Sequence, residues 1–229
     1  MLVIVVAFGA PISAFGSSSS SPLSPEARLA AMRSAARSQH SLHYVSVSSA
    51  PGHEIRIVAD VGMKEGIQRI TLTDHGQTGP AAVIVSGRKV YIRGNVFTLQ
   101  VYFGFKALRA KLYAGKWISV PRSHPGYTTL SADVTLPSFL SHLFPRPTKL
   151  SLVLAGNLIG VRGTAHAQSG VDGTATVFAP AHGKPLPVKE TAKASMHRGT
   201  GVVTMSHWNE RVHVSAPAHA IRISDLLGG

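Results

Sequence analysis

Histidine is the residue type whose abundance most suggests chemistry in this sequence, which contains 12 histidines and no cysteine. His207, His213 and His219 recur every six residues, so on a continuous strand their side chains would share one face. Asn209 and Pro217 interrupt such a strand, and neither an H-E-x-x-H motif nor a carboxylate at ligand spacing accompanies a histidine pair. The sequence therefore predicts surface histidines, with no metal site and no cofactor.

Nucleophilic catalysis has no recognisable site in the sequence. The G-x-S-x-G motif is missing, and Ser206 and His207 are neighbours, so on a strand they would point to opposite faces. No spacing selects a histidine partner for Asp60, Asp74 or Asp133. We therefore predict a protein without catalytic residues. An enzyme would require a histidine and a carboxylate to converge in a cleft.

Basic residues exceed acidic ones, with 23 Lys and Arg against 10 Asp and Glu and a formal net charge of +13. The positive residues are spread along the chain, for example over Arg33, Arg37, Lys106, Arg109 and Lys111. No nucleic-acid-binding motif is present. The net excess favours attraction to an anionic membrane surface or an acidic envelope polymer, while most individual charges keep the protein soluble.

The first residues predict a targeting segment. Residues Leu2 to Phe15 are nearly all apolar or small, and this run is too short to cross a bilayer core of about 30 Å. It is typical of a secretory signal peptide over residues 1–16, followed by a serine-rich tether over 17–23. Residues 24–229 are then expected to form a single exported domain.

The elements that would position any site follow from capping residues and periodicity. Ser24 and Pro25 predict the start of a helix that ends near Gln39, after which apolar residues alternate with a period of two. Three further helices are predicted over 96–103, 106–113 and 137–144. The predicted strands are 54–61, 67–74, 82–85, 89–93, 117–120, 150–155, 159–166, 174–179, 186–193, 201–208 and 212–216. This layout predicts an α+β fold, a large curved antiparallel sheet with helices across its concave face.

Two segments resemble a known family. Tyr113-Ala-Gly-Lys-Trp-Ile-Ser-Val-Pro121, preceded by Asn95 and a helix break at Gly104-Phe105, is similar to the middle of actinobacterial lipoproteins of the LolA/LolB-like lipoprotein-carrier superfamily. Ser206-His-Trp-Asn-Glu-Arg-Val-His-Val-Ser-Ala-Pro217 resembles their last strand pair. The order of elements agrees over about residues 38–227, and the segments are similar to the mycobacterial glycolipid-carrier lipoprotein type.

The resemblance implies a curved half-barrel of about eleven strands that is closed by helices. Relatives carry lipids, lipoprotein acyl chains or glycolipids through the cell envelope in an apolar cavity, and related domains act as envelope-stress sensors. The lipoprotein members have a Cys at the end of the signal, where this sequence runs from Ala14-Phe15-Gly16 into Ser17. We therefore expect an extracytoplasmic protein that is not anchored through a lipidated Cys.

The apolar residues of the predicted helices allow two interpretations. They line a cavity for an amphipathic lipid or glycolipid, or they fill the core of the sheet. In the second case the domain would be an extracytoplasmic sensor or scaffold that acts through a protein partner. We expect a monomer with a lipid cavity. The predicted cavity residues are Leu99, Phe103, Phe105, Leu108, Leu112, Phe139, Leu140 and Leu143.

Overall fold

A computed structural model describes residues 24–166, 172–194 and 199–227 of the chain. The predicted signal segment and tether, residues 1–23, lie outside the described residues. The first helix, α1 (Pro25–Arg37), begins as predicted, because the Ser24 side chain accepts a hydrogen bond from the Ala27 N–H at 3.2 Å. Its inward stripe of Leu29, Met32 and Ala36 is fully buried.

Five strands follow as an antiparallel meander in which each strand pairs with the next. They are β1 (Ser41–Ala50), β2 (His53–Gly62), β3 (Gly66–Asp74), β4 (Gln77–Ser86) and β5 (Lys89–Gly94). Four of them were predicted. The sequence analysis missed β1 because Ser46 and Ser48 point inward while Val45 and Val47 point outward, which inverts the usual pattern of a half-buried strand.

The predicted helical insert comes next. It contains α2 (Val96–Val101), α3 (Ala107–Tyr113), β6 (Ile118–Pro121), α4 (Tyr127–Leu130) and α5 (Leu136–Leu143). Asn95 caps α2 as expected, since its side-chain oxygen accepts a hydrogen bond from the Thr98 N–H at 2.8 Å. Gly104, with a φ of +71°, then turns the chain from α2 toward α3.

The second half of the chain adds β7 (Ser151–Ala155), β8 (Leu158–His166), β9 (Asp172–Pro180), β10 (Lys189–Ala194), β11 (Thr200–Ser206), β12 (Ile221–Arg222) and α6 (Ile223–Leu227). The 12 strands form one sheet in the order β12-β6-β5-β4-β3-β2-β1-β11-β10-β9-β8-β7. All described pairings are antiparallel except that of β12 with β6. The predicted α+β class and curved antiparallel sheet are confirmed, and the described sheet is open rather than closed into a barrel.

The core lies on the face of the sheet that carries the helices, which we call the inner face. One cluster packs α1 and α5 onto β1 and β2 through residues such as Met32, Tyr44 and Phe139. A second cluster packs the insert onto β3 to β6, with Ile92 and Ile118 at its centre. Each half of the sheet is therefore covered by its own set of helices.

The predicted strand over residues 212–216 is wrong. The segment between β11 and β12 forms no regular element and crosses the outer face of the sheet, where Val212 and Val214 pack near Ile84 and Tyr91. The alternation of the two valines reflects this one-sided burial and not pairing within the sheet.

Candidate functional site

A row of small residues crosses the inner face of five neighbouring strands. The register pairs Gly163 of β8 with Ala175 of β9, and Ala175 with Ala192 of β10. Ala192 in turn lies opposite Gly201 of β11, and Gly201 lies opposite Ser48 of β1. Direct cross-strand partners point to the same face, so no large side chain rises from this part of the sheet.

A cavity of about 560 Å³ lies over this row. Its wall includes Ser48, Ala192 and Gly201 of the row, together with Ile55 of β2 and His142 of α5. The volume falls within the range of about 300–1,000 Å³ that is usual for small-molecule sites. The cavity is thus a consequence of short side chains in a region that the helices do not fill.

Glu190 is an ionisable side chain that rises from the sheet inside this cavity. The register places Glu190 of β10 between Val177 and Val203 on the inner face. Along β10 it is the next inward-facing residue after Ala192 of the small row. Burial, and secondarily the charge of Asp133, raises the pKa of Glu190 to about 8. Glu190 is therefore mostly protonated at neutral pH and can donate a hydrogen bond within the cavity.

A histidine–carboxylate pair faces Glu190 from the helical side. His142 Nδ1 lies 2.7 Å from Asp133 Oδ1, and both residues line the cavity. Burial raises the pKa of Asp133, whereas the hydrogen bond and charge of His142 oppose that shift. The pair supplies a donor and an acceptor at the polar end of the cavity.

The Asp133 backbone is fixed by a buried hydrogen-bond network. The Tyr44 hydroxyl donates to the Asp133 carbonyl at 3.0 Å and accepts from Gln68 Nε2 at 2.7 Å. The Asp133 N–H donates to Ser138 Oγ at 2.9 Å, and the Tyr44 ring stacks on Phe139 at 4.5 Å between centroids. The polar end of the cavity is therefore anchored to the core, as a binding site requires.

The sequence-predicted cavity residues lie elsewhere. Leu99, Phe139 and Leu143 are buried in the core, and Phe103 and Phe105 are half-buried against the cluster over β3 to β6. None of the eight predicted residues lines the 560 Å³ cavity. Leu140 lines a separate pocket of about 250 Å³ between α1 and α5. Lipid contact by these residues stays a prediction.

Two of the predicted residues are exposed on the insert. Leu108 and Leu112 of α3 have exposed fractions of 71% and 55%. We call these two residues, together with the exposed Val101 and Tyr102 of the same segment, the insert patch. Lys106, Arg109, Lys111 and Lys116 lie in the same segment, and the sequence has no acidic residue between Asp74 and Asp133.

Burial and, to a smaller extent, the charge of Asp133 raise the pKa of the Tyr102 hydroxyl in the insert patch.

The sequence analysis did not single out the small row, Glu190 or the pair of Asp133 with His142, which the structure brings together around the cavity. A signal for the row is present, since Gly or Ala recurs at every second position in 163–165, 173–175, 192–194 and 199–201. Asp133 and His142 converge in a cleft, which the sequence analysis required of an enzyme, but their spacing alone did not single them out.

Comparisons with known proteins identify the fold. No protein-family model matches this sequence, and no curated protein matches it. Among solved structures, LprF from Mycobacterium bovis matches with a TM-score of 0.51 and 16% identity, over 86% of this chain and 100% of LprF. The Mycobacterium tuberculosis lipoprotein LppX matches with a TM-score of 0.47 and 18% identity, over 85% of this chain and 100% of LppX.

The resemblance to actinobacterial lipoproteins that the sequence predicted is confirmed at the level of the fold. At 16% identity the match with LprF concerns the path of the chain and not the identity of the cavity residues. Separately, none of the helices in the described ranges has the length and apolar character that a membrane span requires.

Proposed function

We propose that this protein is an exported, non-catalytic carrier that holds an amphipathic lipid in the cavity over the small-residue row. The observation that carries the proposal is the 560 Å³ space on the inner face of a sheet with the LprF fold. Carriage of lipids is also what the family resemblance in the sequence implies.

The energetics of such a carrier are favourable. Burial of each methylene contributes about 0.8 kcal/mol, so a sixteen-carbon chain that is fully enclosed gains on the order of 12 kcal/mol before ordering costs. Even partial enclosure of one chain in the cavity would hold a lipid stably. Because Ala192 and Gly201 on the floor of the cavity have short side chains, an acyl chain could lie close to the strand backbone.

The polar end of the cavity would receive the headgroup. Glu190 is mostly protonated at neutral pH, and Asp133 with His142 adds an acceptor and a donor nearby. Such groups suit hydroxyl or amide functions of a headgroup, because each can pair with a neutral donor or acceptor. A phosphate would meet the carboxylate of Asp133 at close range and be repelled, so an uncharged headgroup is favoured.

Delivery of the lipid would occur at an anionic membrane surface. The insert patch presents four exposed apolar side chains in a segment that also carries four basic residues. Apolar side chains that enter the headgroup region and cations that face anionic lipids act together in peripheral binding. Leu108 and Leu112 would then contact lipid at the membrane rather than inside the cavity.

Native mass spectrometry of the full chain, purified from a secreting host, tests the carrier proposal. We expect a protein mass increased by a ligand that extracts into organic solvent. A protein that carries no added mass, and acquires none after incubation with lipid vesicles, would contradict the proposal.

The second candidate function is a sensor or scaffold that acts through a protein partner. The exposed insert patch is the observation that favours it, because several large apolar side chains that are exposed in one segment are typical of interaction sites. A partner that is captured through Leu108 and Leu112 by a chain without lipid would support this candidate.

A further inference from the structure

We propose that His53, Asp74 and His75 form a binding site for a divalent transition-metal ion at the rim of the cavity. His53 is the first residue of β2 and Asp74 the last of β3, and the two lie directly opposite each other in the register. His75 begins the turn into β4. The sheet therefore brings His53 to the same edge as the adjacent residues Asp74 and His75, which are distant from it in sequence.

The donor atoms of these side chains converge. His53 Nδ1 lies 2.5 Å and His75 Nδ1 2.8 Å from the same oxygen, Asp74 Oδ1. All three donor atoms lie within 4.8 Å of one another. Two ligands of one zinc ion, each at about 2.1 Å from it, can be up to about 4.2 Å apart, so small rotations of the imidazole rings would suffice.

The backbone holds the two imidazole rings together. His75 and Gly76 occupy left-handed positions of a tight turn, with φ of +47° and +83°. The His75 N–H donates to the Gly52 carbonyl at 2.7 Å, which ties this turn to the neighbouring one between β1 and β2. The rings of His53 and His75 then meet edge to face at 4.6 Å between centroids.

The chemistry of this donor set suits a borderline metal ion. Two imidazoles and one carboxylate leave coordination positions open, as in sites for Zn²⁺ and related ions. A neutral imidazole can move its proton to Nε2, which frees the Nδ1 lone pair for the ion without net release of a proton. His53 and His75 are exposed by 51% and 75%, so an ion can reach them from solvent.

A second group has the same residue types without the same geometry. His43 Nδ1 lies 2.7 Å from Asp60 Oδ1, and the His207 ring lies 5.6 Å from that of His43. Arg69 also reaches Asp60, at 3.4 Å, and its positive charge would oppose a bound cation. Among the described residues, only His53, Asp74 and His75 bring three donor atoms together.

Isothermal titration calorimetry with Zn²⁺ tests the site, using the metal-free full chain purified without a histidine tag. We expect one ion per chain. His53→Gln and His75→Asn should each weaken Zn²⁺ binding by about 100-fold or more, since even residues that only orient ligands contribute about 10- to 100-fold. Asn is chosen at position 75 because it tolerates a left-handed backbone.

The matched control is His43→Asn, which should bind Zn²⁺ like the unmodified chain. Circular dichroism verifies that each variant is folded. If His75→Asn is not folded, the Zn²⁺ affinity of His53→Gln decides the question. No saturable binding to the unmodified chain would overturn the proposal. So would unchanged affinity in His53→Gln, or an equal loss in His43→Asn. The site requires no bound lipid, so this result is independent of the carrier proposal.

Discussion

The inner face of the sheet is filled throughout in one half and only in part in the other. Over β3 to β6 the inner face carries Ile70, Val83, Ile92 and Ile118, all of which are buried beneath the insert and the loops that follow it. Over β8 to β11 and β1 a packed cluster under α1 and α5 adjoins a row that consists of Gly, Ala and Ser. The first half is a filled core, and the second leaves the cavity open over the small row.

The difference indicates that space for a ligand arises where the side chains of the sheet are short. A large number of apolar side chains does not by itself create such space. Large apolar residues under helices pack against each other and leave no room. Small residues on paired strands cannot fill the space, because the backbone hydrogen bonds fix the floor of the cavity. The predictions below test whether the two halves differ in this way.

Truncation in the filled half should have the largest effect. Ile92→Ala removes buried methylenes and leaves a void, so we expect a loss of about 2–5 kcal/mol in the free energy of unfolding. Leu154→Ala, at a position that is 77% exposed, should change it by less than about 0.5 kcal/mol. Denaturant unfolding measures both. A cost below about 1 kcal/mol for Ile92→Ala would show that this half is not tightly packed.

Enlargement should have opposite consequences in the two halves. Ala192→Leu extends into the cavity, so we expect lipid occupancy to fall at least about tenfold with little change in stability. Ala81→Leu, on the inner face of β4, should overpack the core and cost about 1–3 kcal/mol while lipid is retained. Native mass spectrometry and thermal unfolding provide the two readouts. Retention of lipid by Ala192→Leu would place the ligand elsewhere.

The insert patch should determine membrane binding without affecting either half of the core. We expect Leu108→Ser combined with Leu112→Ser to weaken binding to anionic vesicles about tenfold, through the loss of apolar contact. The same substitution at the exposed Leu154 is the matched control and should have no effect. Vesicle co-sedimentation measures the difference, and binding should also fall steeply with salt. Binding that resists salt would count against the basic residues.

Glu190 should give the cavity half a pH dependence of its own. Its native pKa of about 8 lies above the unfolded value of 4.5, so the folded state holds the proton more tightly between these limits. Stability should therefore fall as pH rises from about 5 to 9. Glu190→Gln should reduce this fall in the free energy of unfolding by about 1 kcal/mol between these pH values. This figure is reduced to allow for partial exposure of the side chain. Glu210→Gln, at an exposed position, should leave the slope unchanged, and an unchanged slope in Glu190→Gln would contradict the assigned burial.

Local features of the fold could be predicted from the sequence, whereas long-range pairing could not. Ser24 and Asn95 mark helix starts because a cap depends only on the next three residues. The pairing of β1 with β11 joins distant segments, and the inward serines of β1 concealed that strand. The cavity was missed for the same reason, since its row of small residues exists only once the register is known.

The predicted site illustrates a further limit. Leu99 and Leu143 have the periodicity of a helix face, which indicates burial but not whether the neighbour is a side chain or a ligand. Asp133 and His142 carry no motif and are brought together by the turn before α5. The apolar pattern therefore indicated the burial of Leu99 and Leu143, their contact with lipid stays a prediction, and the space over the small row became visible only in the structure.

Photo-crosslinking with a diazirine-bearing monoacylglycerol, which has an uncharged headgroup, followed by mass spectrometry of peptides, tests the central claim most directly. If the ligand lies over the small-residue row, adducts should concentrate on residues 46–57, 190–194 and 199–203, and Ala192→Leu should abolish them. Adducts confined to residues 96–113 and 136–143 would instead place the lipid among the insert helices and contradict the assignment of the cavity.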